Sequence, residues 1–203
     1  MLNFFPSQKE QRVIQRRWLA VLAVSFLALQ GCVPAVVVGT TAGVAAAHDR
    51  RTFGSMIDDQ TIELKAGASI GMDDSIKNLV HINVTSVNGI VLLTGEAATN
   101  DARDAVLAHV REVDGIRRVT NEIRIADPST LGARSEDGLI TSAVKARFLV
   151  TKGLDPTRVK VVTENKAVYL MGLVTHAEGD LAGDLASNID GVQRVVKIFE
   201  YID

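Results

Sequence analysis

Beyond residue 58 the apolar positions follow a helical period near 3.6, then a strand period of 2, and the whole succession happens a second time. NVTSVNGIVLLTG (83–95) aligns with KVVTENKAVYLMG (160–172), VDGIRRVTNEI (113–123) with IDGVQRVVKIF (189–199), and DDQTI (58–62) with EDGLI (136–140). The offsets are 77, 76 and 78 residues, which marks a tandem duplication of one small domain. In each copy a first helix is expected to begin at an acidic pair, Asp58-Asp59 or Glu136-Asp137, placed to suit the helix dipole. A hairpin follows, Val80 to Val87 and Ile90 to Thr94 around Asn88-Gly89, a dipeptide whose residues tolerate the positive φ of a tight turn. The second copy has Asn165-Lys166 there, and lysine resists that conformation, so a looser turn is expected. A second helix is expected over Thr99–Val113 and Ala177–Asn188, ended by the glycine of Asp114-Gly115 and Asp190-Gly191. Strands over Ile116–Ile125 and Val192–Ile202 close the units. The order α-β-β-α-β predicts an α+β fold in tandem, each unit a sandwich of a three-stranded mixed sheet with two helices on one face.

Upstream, the pattern changes character. Lys9, Arg12, Arg16 and Arg17 precede a twelve-residue apolar run, WLAVLAVSFLAL, from Trp18 to Leu29. That run is too short for a bilayer, which needs about twenty residues, but it has the layout of a secretory signal. Cys32 follows, the one cysteine of the chain, so neither an internal disulfide nor a thiolate metal cluster is available. A structural thiol, an uncleaved span and a lipoprotein signal compete to explain it. Leu29-Gln30-Gly31-Cys32 resembles the lipobox of bacterial lipoproteins, with Gln30 the less usual residue, whereas Pro34, Gly39 and Gly43 interrupt a longer span. The lipobox resemblance implies cleavage before Cys32, a covalent diacylglycerol and an N-acyl chain on it. Val33, rather than Asp, after the cysteine implies the outer membrane, facing the periplasm. The domain plan is then 1–31 signal peptide, 32–57 lipidated N-terminus and flexible tether, 58–127 first domain, 128–135 linker and 136–203 second domain.

Composition removes several function classes. At 47% hydrophobic and 23% charged the chain is globular, with an aliphatic core since aromatics are 4%. A net charge of -2, becoming -5 for residues 32–203, argues against a nucleic-acid partner. No phosphate-binding loop, zinc-protease helix or nucleophile elbow is present, and GTTAG in the tether is a small-residue linker. His48, His81, His109 and His176 are scattered without metal spacing and read as surface residues. Asp58-Asp59 and Asp73-Asp74 read as helix-start charges rather than acid/base pairs. The expectation is no enzyme, no metal, no cofactor beyond the covalent lipid and no small-molecule substrate.

With [IV]-x-G-[IV]-x-x-V near the second helix and N-x-x-x-x-L-x-G from the hairpin turn in both copies, plus the lipobox, residues 29–203 resemble the dual BON-domain outer-membrane lipoproteins. The resemblance implies anionic phospholipid binding by the second BON domain, in support of envelope integrity, without a catalytic centre.

Comparing the copies locates the candidate surface. Ile62, Ala66 and Ile70 in the first helix, and Ile140, Val144 and Phe148 in its counterpart, form core stripes. A second stripe, Leu139, Ala143, Ala146 and Val150, lies roughly 130° away and should face outward. Its first-copy counterparts, Thr61, Lys65, Ala68 and Met72, are mixed, so the stripe is expected in the second copy alone. Residues 136–160 carry a net +2 against -3 for 58–82, and Lys145, Arg147 and Lys152 flank the stripe. That pattern suits a helix at an anionic membrane surface. The residues alone leave open whether the stripe packs on the other unit, and the family resemblance favours membrane. An adaptor for an envelope-assembly or cell-wall-remodelling machine, and a periplasmic stress chaperone, would use exposed apolar surface in other ways.

Overall fold

The computed structural model describes residues 49–127 and 129–203; the signal peptide, Cys32 and most of the tether lie outside them. In chain order the elements are α1 (Phe53–Met72), β1 (Val80–Val87), β2 (Ile90–Ala97), α2 (Asn100–Arg111), β3 (Arg118–Ile125), α3 (Leu131–Val150), β4 (Lys160–Glu164), β5 (Ala167–Val174), α4 (His176–Ser187) and β6 (Arg194–Tyr201). A single 3₁₀ turn, Pro156–Arg158, precedes β4. In each unit the hairpin strands pair antiparallel, and the last strand joins the other side of the central strand in parallel, reached by a helical crossover. The α+β tandem expected from the pattern is what the chain forms.

Three apolar clusters account for the layering. Ile62, Ala66 and Ile70 of α1 pack with Val106 and Val110 of α2 on Val91 and Leu93 of β2. Ile140, Val144 and Phe148 of α3 pack with Ala182 and Ala186 of α4 on Val168 and Leu170 of β5. The alternate residues of the same strands, Ile90 and Leu92 with Ala167, Tyr169 and Met171, meet one another between the sheets. Period-2 alternation thus gives each central strand two apolar faces, one for its own helices and one for the other unit. The order of layers is helices, sheet, sheet, helices.

Polar contacts seal the middle layer. Asn88 of the first hairpin turn donates to Glu200 of β6 at 2.8 Å, and Asn165 of the second turn donates to Glu96 of β2 at 2.7 Å. Each turn therefore lies at the open end of the other unit's hairpin. Glu164, buried beside Glu96, is held above the usual carboxylate range by burial, which the hydrogen bond from Asn83 only partly offsets. Burial, and next the charge of Glu122, push the Tyr169 hydroxyl up to about 12.

The leading helices depart from expectation. They begin at Phe53 and Leu131, capped by Thr52 and Thr130. The expected tether (32–57) and linker (128–135) therefore each surrender residues to a helix. The cause lies in the acidic residues: Asp59 and Asp137 are not N-terminal charges but buried mid-helix groups that bind the hairpin turns. Asp59 accepts from the backbone of Asn88 (2.7 Å) and Gly89 (2.9 Å), Asp137 from that of Asn165 (2.8 Å) and Lys166 (2.9 Å). Asp73 is the C-cap of α1 rather than a helix-start charge. The second helices end at Arg111 and Ser187, with Gly115 and Gly191 four residues beyond, in the turn to the last strand.

Asp137 also explains why the second turn is not loose. Asn165 and Lys166 have φ of 50° and 60°, close to the 51° and 71° of Asn88 and Gly89, because the carboxylate holds both amides. Lys166 pays the left-handed penalty. Lys166→Gly is expected to stabilise the protein by about 0.5–1 kcal/mol, since the lysine's exposed ion pair with Glu136 contributes little. A urea-denaturation midpoint at or below that of wild type would contradict this.

Candidate functional site

Because the units meet through their sheets, the outward faces of the helices stay uncovered. In α3, Asp137, Ile140, Val144 and Phe148 are buried. Leu139, Ala143, Ala146 and Val150 are all exposed, Leu139 at 72% and Val150 at 76%. The stripe does not pack on the other unit. Sequence reasoning missed Leu131 and Leu149, both exposed. They stand 18 residues apart, five helical turns, and so fall on the same side of the helix next to Ala146. Leu131 was hidden by starting the helix at residue 136, and without it Leu149 had no partner on its side of the helix.

Lys145 is exposed about 130° to one side of the stripe's centre and Arg147 about 70° to the other, and Lys152 is exposed just past the helix end. Thr151 caps α3 through its backbone amide. Cations near a helix C-terminus are favoured by the dipole, so these charges suit the fold as well as a ligand. The arrangement is an apolar strip with cationic margins.

An exposed apolar set is not confined to the second unit, as the sequence had suggested. Phe53, Ile57, Leu64 and Met72 of α1 are also exposed. They fall within about 100° of arc. Of the first-copy counterparts of the stripe, Met72 belongs to this set, Thr61 lies within its arc and Lys65 at its edge. What distinguishes the units is charge: α1 offers Lys65 with Asp58 nearby, whereas α3 has Glu136 in place of Asp58 and adds Lys145 and Arg147.

The expectation that the histidines are surface groups holds for His176; His81 and His109 are half-buried, and His48 lies outside the described residues. His109 joins α1 to α2: Ser69 Oγ lies 2.9 Å from its Nδ1 and Asp73 Oδ2 lies 2.7 Å from its Nε2. Hydrogen bonds from the Ser75 side chain and then His109 hold the Asp73 carboxyl down at about 2. This is a staple between helices. Among the described residues no three His, Cys, Asp or Glu side chains are grouped so as to hold a metal ion, and no helix is long and apolar enough to cross a membrane.

The start of the described chain is tied to the second unit. Arg50 grips both carboxylate oxygens of Glu178 and donates to the Leu173 carbonyl at 3.3 Å. Arg158 binds the same carboxylate at 2.8 Å. Burial alone would raise the Glu178 carboxyl, but bonds from Arg50, the Thr175 backbone and Arg158 hold it at about 2.

Comparison with known proteins gives consistent matches. The BON-domain family model matches residues 58–127 and 136–203. Outer membrane lipoprotein DolP of Haemophilus influenzae is 38% identical over 185 residues, covering 91% of this chain and 96% of that protein. A 21 kDa hemolysin of Actinobacillus pleuropneumoniae is 34% identical over 154 residues (76% of this chain, 79% of that one). Osmotically-inducible protein Y of Escherichia coli is 27% identical over 158 residues (76% and 78%).

Proposed function

This chain belongs to the BON-domain family, as a dual-BON outer-membrane lipoprotein of the DolP family, and on that premise we propose that its second unit binds anionic phospholipid through α3 and so supports outer-membrane integrity. Cys32 is the acylated residue in this reading, and its lipid holds the folded units to the periplasmic side of the membrane. The observation that carries the proposal is the uncovered stripe Leu139, Ala143, Ala146 and Val150 between exposed Lys145, Arg147 and Lys152. Apolar side chains entering the acyl boundary supply burial, and each nearby cation adds on the order of 1 kcal/mol at an anionic surface. With the anchor already in place, such modest terms suffice, because the second contact is intramolecular. The reading assigns no catalytic step.

Co-sedimentation tests it. A mature chain carrying Cys32→Ser, so that the anchor contributes nothing, is expected to sediment with phosphatidylglycerol vesicles and not with phosphatidylcholine alone. Adding Leu139→Glu and Val150→Glu is expected to weaken that partition by about tenfold or more, since two partly buried apolar side chains are replaced by anions. If the doubly substituted protein sediments as its parent does, the helix is not the docking surface. Failure of the unsubstituted chain to sediment with either vesicle would instead support a protein-interaction adaptor for an envelope-assembly or cell-wall-remodelling machine.

A further inference from the structure

We propose that the bilayer is met by both units, α3 tilted with the C-terminal end of its stripe deepest and Phe53 of α1 inserting alongside that end, rather than by α3 lying flat and alone. This rests on the preceding reading for the identity of the partner, a bilayer with anionic headgroups, and adds the orientation and a contribution from the first unit.

The ends of the molecule are defined by hydrogen bonds. The N-terminal half of α3 sits on its hairpin turn, where Asp137 holds Asn165 and Lys166. A helix of 20 residues is about 30 Å long, so its C-terminus reaches the opposite, open end of that hairpin, where Lys160 pairs with Met171. Arg158, Leu173 and Glu178 gather there, and Arg50 binds the last two. Phe53 stands three residues after Arg50 and is 72% exposed, with Ile57 one turn further along the same face. The first unit's leading residue is thereby fixed at the end of the second unit toward which Leu149, Val150 and Lys152 project.

Charge selects the same end. Lys145, Arg147 and Lys152 lie in the stretch from Gly138 to Gly153, which contains no acidic residue, while Glu136 and Asp137 occupy the N-terminal half of α3. An anionic surface thus favours the C-terminal half. The covalent anchor agrees. Sixteen residues, Val33 to His48, separate Cys32 from the described chain, and fully extended they span at most about 55 Å. The chain enters the fold at this end, so turning it to the bilayer leaves that reach in reserve. Turning the opposite end to the bilayer would consume about 30 Å of it.

The duplication supplies internal controls. Leu131 begins α3 as Phe53 begins α1, and Met72 ends α1 as Val150 ends α3; Leu131 and Met72 are each 80% exposed, at the opposite end. The chain's one tryptophan, Trp18, precedes Cys32, so the mature chain has none and any introduced tryptophan reports alone. We would place the lipidated mature chain in phosphatidylglycerol vesicles with brominated acyl chains, in four variants: Phe53→Trp, Val150→Trp, Leu131→Trp and Met72→Trp. All four positions are exposed, and far-UV circular dichroism checks that each variant is folded. The expected result is at least twofold quenching at 53 and 150 and none at 131 and 72. Quenching at 150 and 131 without 53 means that α3 lies flat; it overturns this inference and leaves the docking helix standing. Equal quenching at all four positions also overturns it. No quenching at any position overturns both readings.

Discussion

Gly95→Ala is expected to cost about 4 kcal/mol or more, or to yield no folded protein. Gly95 lies in β2 at φ 111°, and a Cβ there would sit 2.0 Å from the His81 carbonyl oxygen on the neighbouring strand. Backbone rather than a flexible side chain is in the way, so relief requires the ladder between β1 and β2 to open. Gly172 of β5 repeats the situation at φ 155°, with a Cβ 2.1 Å from the Arg158 carbonyl oxygen. Gly172→Ala should be comparably severe, since it also displaces the turn that carries Arg158 to Glu178. Gly67→Ala is the control: it lies inside α1 with nothing within 4 Å of a new Cβ, and it should stabilise by about 0.5–1 kcal/mol. Chemical denaturation of the three variants decides the matter. Gly95→Ala within 1 kcal/mol of wild type would show that the strand relaxes.

Asp59→Ala should be the next most damaging change, at about 3 kcal/mol. Its carboxylate accepts from the amides of Asn88 and Gly89, from Ser86 Oγ at 2.6 Å and from Arg51 at 3.0 Å, so truncation orphans three donors and leaves Arg51 with Asp49 alone. Burial pushes this carboxyl up, but the bonds from Gly89, Ser86, Asn88 and Arg51 outweigh it and hold it below the ordinary value. A depressed folded-state value means that the stabilisation is complete above the unfolded value near 3.8 and fades as pH falls below it. The gap between wild type and Asp59→Ala should therefore narrow in acid. Asp137→Ala removes the acceptor of two turn amides only and should cost less, about 1–2 kcal/mol. Thermal unfolding of both variants at neutral pH, and of the first again near pH 3, checks the ranking and the sign.

The internal repeat, the order of elements and the core stripes were legible because each leaves a periodic trace. Ile62, Ala66 and Ile70 recur at helical spacing and are buried as that spacing requires. Asp59 and Asp137 were illegible for the opposite reason. An acid near the start of a periodic segment looks like a dipole charge, and its partners are turn amides about thirty residues away that no local pattern reveals. Misplacing the helix starts concealed Phe53, Ile57 and Leu131 of the exposed apolar set. The inward partner of each sheet could not be read either. A central strand with apolar residues on both faces announces that something covers the second face, and only the fold shows that Tyr169 and Met171 are covered by Ile90 and Leu92.

That middle layer also bears on how such a chain can arise. An interface in which each unit lends its turn asparagine to the other, around apolar faces drawn from equivalent strands, has the reciprocal form of a symmetric homodimer. Joining two identical protomers end to end would preserve it while releasing them from identity. One copy can then gather Lys145 and Arg147 on its outer helix and Lys152 just past its end while its twin does not. A lone copy would expose an apolar sheet to water, so fusion secures a partner at fixed stoichiometry and lets the two outer surfaces evolve separately.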